Sequence, residues 1–127
     1  KVFLEMEEWD NAERALQEAV NADPDNGDYL ASLAWAIYRN PKYTDSLAMR
    51  NKAKQMLNKS ITMERTALAF AYKGWMLFEA GQESMAESEF NKALKLDARL
   101  SMARKGLRNL QEQQEQQKKG LFKRMFK

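Results

Sequence analysis

At 127 residues, with only five glycines and two prolines, the chain is sized for one domain with a modest core. Ala, Leu, Glu, Lys, Gln, Arg and Met dominate it, so an all-α fold is expected. The absence of cysteine and histidine excludes disulfides, thiolate or imidazole metal ligands, a Cys nucleophile and a His general base. Net charge is +3 but uneven: residues 103–127 carry eight Lys/Arg against two Glu, so the basic character belongs to the C-terminal segment and the body before it is acidic.

The first element lies in residues 1–26. Ala12, Leu16 and Ala19 stand at i, i+4 and i+7, one face of a helix, with small residues flanking a large one. Asp10 followed by Glu13 reads as a capping box with Trp9 just outside it, and Asp23-Pro24-Asp25-Asn26-Gly27 closes the helix with a turn. Only Phe3 stands where a preceding helix would carry its apolar residue, so this unit reads as a partial repeat. The chain starts at Lys1 without an initiator methionine, and a piece of a longer protein is expected.

Residues 27–66 form the second unit. Leu30, Ala31, Ala34, Trp35, Ile37 and Tyr38 make an apolar helix that must end at Asn40-Pro41, because proline disfavours helical geometry in the residue before it. Asp45 is placed to cap the next helix, on which Ala53, Leu57 and Ser60 repeat the i, i+4, i+7 set. The unit is longer than its neighbours by an insertion near 40–51. Tyr43 within it is a candidate to close over a groove edge, although loops also accept such length cheaply.

Residues 67–98 form the third unit. Phe70, Ala71, Gly74, Trp75, Leu77 and Phe78 match the six residues of the second unit's first helix, each pair 40 positions apart; Lys73 against Leu33 departs from the pattern. Gly81 ends that helix, and Ala86, Phe90 and Ala93 give the third copy of the small-large-small face. Residues 99–119 read as a capping helix with Leu100, Ala103, Leu107 and Leu110 on one side. Residues 120–127 read as a basic tail, disordered unless something holds it, since termini are so by default and so short a segment makes no stable lone helix.

The strings W-D-N-A-E-R-A-L-Q-E-A-V-N-A-D-P-D-N and Q-E-S-M-A-E-S-E-F-N-K-A-L-K-L-D-A-R each resemble the second helix and closing turn of a tetratricopeptide repeat, whose unit is an antiparallel helix pair of about 34 residues. The resemblance covers about residues 1–117 and departs from the family at the insertion and at Ala98, where the closing proline is usual. It implies a right-handed superhelix of about three repeats plus a capping helix. The first helix of each pair would line a concave face that binds a protein or peptide. More diffusely, the chain is similar to the C-terminal repeat segment of larger bacterial proteins; a cytoplasmic location is expected, since the absence of cysteine fits a reducing compartment.

On that concave face the expected contacts are Trp35, Tyr38, Arg39, Trp75, Phe78 and Glu79, although packing between helices explains the tryptophans equally well. The Lys, Asn and Arg set with which some relatives grip a C-terminal carboxylate is not evident among these Ala and aromatic positions. If helical, the tail would group Leu121, Phe122, Met125 and Phe126. With Lys118, Lys119, Lys123, Arg124 and Lys127 around them, a membrane surface or another anionic contact becomes an alternative partner. No nucleic-acid-reading motif is present, so specific DNA or RNA binding is not expected. Self-association through the partial first repeat, around Phe3, Leu4 and Leu16, is the structural alternative. No enzyme activity, catalytic residue, cofactor or metal is expected, since no Gly-rich phosphate loop or catalytic constellation stands in the sequence.

Overall fold

The computed structural model describes residues 2–126, with side-chain surroundings from residue 7 onward. Six α-helices account for almost all of it: α1 Val2–Ala22, α2 Gly27–Arg39, α3 Leu47–Met63, α4 Ala67–Glu79, α5 Glu83–Leu96 and α6 Ser101–Met125, with a 3-10 turn at Pro41–Tyr43. No strand occurs among the described residues.

Each break has a local cause. After α1 the chain turns over Asp23-Pro24, and Asn26 caps α2 by accepting from the Tyr29 amide at 3.0 Å. Pro41 stops α2 as expected. Ser46, rather than Asp45, caps α3, its Oγ accepting from the Met49 amide; the 3-10 turn moves the start one residue on. Thr66 caps α4 in the same way through the Ala69 amide. At the end of α4, Gly81 takes φ +80°. Its amide donates to the Phe78 carbonyl while the Gln82 amide donates to Leu77, the paired closure that a left-handed residue permits.

Two sequence expectations are corrected here. No helix starts at Asp10, because α1 runs unbroken through it; the Asp10 carboxylate instead accepts from the Asn40 side chain at 2.8 Å and pairs with Lys42 at 2.7 Å. The tail is not a separate segment either: α6 continues through Gly120 to Met125. Nothing in Q-E-Q-Q-E-Q-Q-K-K interrupts a helix already nucleated on the body, and all of those residues propagate it well. The Phe3 and Leu4 side chains, and Lys127, lie outside the described residues.

α2 packs against α1, α3 and α4, and α4 packs against α2, α3, α5 and α6, whereas the backbones of α1 and α3, and of α3 and α5, do not come close among the described residues. The Gly27 amide at the start of α2 donates to Glu64 just past the end of α3, which sets that pair antiparallel. Arg39 at the end of α2 reaches Glu79 at the end of α4, which sets α2 and α4 parallel. The small-large-small faces carry the packing. Ala53, Leu57 and Ser60 are buried, as are Ala86, Phe90 and Ala93. Ala12, Leu16 and Ala19 are only half-buried, because α1 has a helix against one side alone.

Two core clusters result. One joins α2, α3 and α4 around Ala31, Leu33, Ala34, Ile37 and Leu57; the other joins α4, α5 and α6 around Phe70, Ala71, Phe90, Ala103 and Leu110. Ile61 packs against both. Burial of these side chains, at about 1.5–3 kcal/mol for each large one, is the main term holding the layers together.

Candidate functional site

The C-terminal ends of α2 and α4, together with the facing sides of α1 and α6, enclose a cleft of about 470 Å³. Its lining consists of Trp9, Trp35, Arg39, Trp75, Glu79, Met102, Lys105 and Asn109. All three tryptophans of the chain therefore open onto one hollow.

The side chains of this wall hold one another in place. Trp35 stacks on Tyr72 at 4.9 Å between ring centres and 13° between planes, and the Arg39 guanidinium stands 5.6 Å from the Trp35 ring centre. Arg39 Nη1 also donates to Glu79 Oε1 at 2.6 Å, joining α2 to α4. Both groups are well exposed, so the pair adds less than about 1 kcal/mol to stability and chiefly fixes the orientation of the guanidinium. Trp75 is anchored more firmly. Its Nε1–H donates to the Met102 carbonyl at 3.0 Å, and its ring meets Phe90 edge-on at 5.7 Å. One face of the Trp75 indole thus belongs to the core while the rest lines the cleft.

Of the residues read from sequence as groove contacts, Trp35, Arg39, Trp75 and Glu79 line this cleft. Tyr38 does not: it is 5% exposed and packs in the core beneath Arg50, whose guanidinium lies 4.3 Å from the ring centre. Burial, aided by the nearby Glu79 carboxylate and opposed by Arg50, raises the pKa of its phenol. Phe78 is half-buried against Trp75 and the second core cluster, outside the cleft lining. One helical turn past each tryptophan points close to the same side, but Arg50 of α3 covers Tyr38 and Phe78 packs on Trp75 itself. Tyr43 closes over α1 instead of the cleft, its hydroxyl donating to Glu13 Oε2 at 3.2 Å.

Sequence reasoning missed Trp9, Met102, Lys105 and Asn109. Trp9 had a legible signal, since it stands three residues before Ala12 on the same helical face. Treating Asp10 as a helix start put it outside that face. Met102, Lys105 and Asn109 recur at i, i+3 and i+7 beside the apolar stripe of α6, a pattern overlooked because that helix read as a cap. Lys105 is exposed and makes no ion pair among the described residues, so the cleft is apolar at its walls with a cationic excess at one side.

The tail is the other candidate. Leu121, Phe122, Met125 and Phe126 are 53–71% exposed, with Lys118, Lys119, Lys123 and Arg124 exposed around them; α6 carries them away from the cleft. The chain matches no family model and no curated protein.

Proposed function

We propose that the protein is a tetratricopeptide-type binding module that takes a short peptide segment of another protein in the tryptophan cleft, without chemistry. The single observation that carries this reading is the convergence of three tryptophans from three helices on one open hollow. The fold reading draws support from helices α2, α4 and α6 packing directly while α3 and α5 stand apart. Such an arrangement is wider on the outside and bends the stack around an inner face.

Rigid indoles offer large contact area with few rotatable bonds, which is why they concentrate binding energy. Arg39 is engaged by Glu79, whereas Lys105 has no ion-pair partner among the described residues, so the favoured segment is apolar or aromatic with an acidic group set against Lys105. A hollow of this volume suits a few side chains of an extended or helical segment rather than a folded domain.

The test is capture of partners from source-cell lysate, with proteomic identification, by the chain and by its Trp9→Ala and Lys105→Glu variants. These positions are preferable to Trp75, whose indole is tied into the core and whose loss would damage the fold. A segment held in the cleft should be lost or weakened about tenfold or more in both variants, with their thermal unfolding unchanged. Equal capture by all three proteins would remove the cleft as the binding site.

A further inference from the structure

We infer that the C-terminal turns of α6 form an interfacial helix that docks on an anionic lipid bilayer surface. The last hydrogen bond between α6 and the body, among the described residues, is Gln117 Nε2 donating to Glu83 Oε1. Beyond it the helix runs on to Met125, about 12 Å of free rod, and that rod is sorted by side. At 100° per residue, Leu121, Phe122, Met125 and Phe126 fall within a sector of about 140°, and Lys119, Lys123 and Arg124 occupy the opposite one. The sorting is visible in the packing as well, since the Phe122 and Phe126 rings lie 4.6 Å apart on one side. No acidic residue occurs from Lys118 onward. Lys118 stands one turn before Phe122 on the apolar side, where a long aliphatic stem can lie along the interface with its ammonium turned to the headgroups.

The charge pattern selects the occupant. A lipid surface of net negative charge attracts basic residues and admits an apolar sector to the depth of the acyl boundary, and both halves of this helix are then used. The tryptophan cleft of a second copy is a poorer fit, because its exposed cation Lys105 would meet a cationic tail. No helix among the described residues is long and apolar enough to cross a membrane, so the geometry is that of a helix lying on the surface. This inference stands apart from the cleft reading and survives its failure.

The experiment is flotation of the full chain with vesicles of phosphatidylcholine alone and of phosphatidylcholine with about 30% phosphatidylserine, at about physiological salt. Binding is expected only to the anionic vesicles. Replacement of Lys123→Gln and Arg124→Gln together should weaken it about 30-fold, roughly fivefold per basic residue. Phe122→Ala with Phe126→Ala should weaken it by about tenfold per ring. All four side chains are exposed beyond the body, so circular dichroism and thermal unfolding of the variants should match the parent. Absence of binding to the anionic vesicles overturns the inference. So does binding that the Phe variants keep in full, which would show a charge-only contact open to any polyanion. Sedimentation that reveals self-association lost in the Phe variants, with no vesicle binding, would assign the apolar sector to a second copy and overturn it equally.

Discussion

Asn40 shows how one side chain can join three segments. It is fully buried, its Oδ1 accepts from the Lys42 amide at 3.1 Å, and its Nδ2 donates to Asp10 at 2.8 Å. It thereby caps the 3-10 turn and ties α1 to the end of α2. Asn40→Ala should lower stability by about 1–3 kcal/mol in urea unfolding, since it removes two hydrogen bonds of a buried side chain, one of them to a charged carboxylate; a change within error would show that water replaces both bonds. The same network depresses the Asp10 pKa, through Lys42 first and Asn40 second, below its ordinary value of 3.8. A depressed carboxyl stabilises the fold above its unfolded value and loses that contribution as pH falls through the lower native one. The stability advantage of the parent over Asp10→Asn should therefore be full at pH 6 and shrink only below about pH 4. An advantage unchanged in acid would mean that the charge on Asp10 is irrelevant.

Between elements, the informative comparison is how the two packed units solve the same packing problem with different residues. In the second unit Ala34 and Leu57 share one core; in the third, Gly74 faces Phe90. A Cβ at Gly74 would stand 2.5 Å from the Phe90 ring, and one at Gly106 of α6 would stand closer still. The larger ring is accommodated by deleting a methyl on each side. Gly74→Ala should cost about 1–3 kcal/mol despite its better helix propensity, and Phe90→Leu should cost a comparable amount through lost contacts. Combined, they recreate the Ala34–Leu57 pair, so chemical denaturation of the double variant should show a loss smaller than the sum by 0.5 kcal/mol or more, about the smallest coupling typical of contacting pairs. Strict additivity would deny the exchange.

That exchange was half visible beforehand: the 40-residue spacing exposed the pairing of Ala34 with Gly74 and of Trp35 with Trp75, but the consequence for Phe90 needed the third dimension. Helix boundaries were legible wherever proline, glycine or a capping side chain acts locally. They failed at Asp10 and at the tail, where a good capping pattern and a terminal position were outweighed by an uninterrupted run of helix-forming residues. Half the cleft was legible because it repeats. Lys105 and Asn109 were not, since their helix contributes no second copy to compare.

At the scale of the whole molecule, stability should be graded along the stack because each helix is held by its neighbours. Among the described residues α4 touches four other helices and α2 three, whereas α1 has only α2 and the 3-10 turn, and α6 beyond Gln117 has no hydrogen bond to the body. In a stack of this kind local opening is favoured wherever fewest interfaces must break. Native-state hydrogen exchange should accordingly find the slowest amides in α4 and α2, faster ones in α1, and nearly unprotected ones from Lys118 on. Equal protection of α1 and α4 would show instead that the chain opens only as one unit. The same measurement separates the two proposed surfaces, since each occupant should slow a different set of amides. Anionic vesicles should protect the end of α6 and leave α2 unchanged, whereas a peptide in the tryptophan cleft should protect the last turns of α2 and α4 and the first turns of α6 while the tail continues to exchange freely. Protection of both regions by one ligand would mean that the cleft and the tail act as a single site, a coupling for which the separation of Gln117 from the cleft gives no physical route.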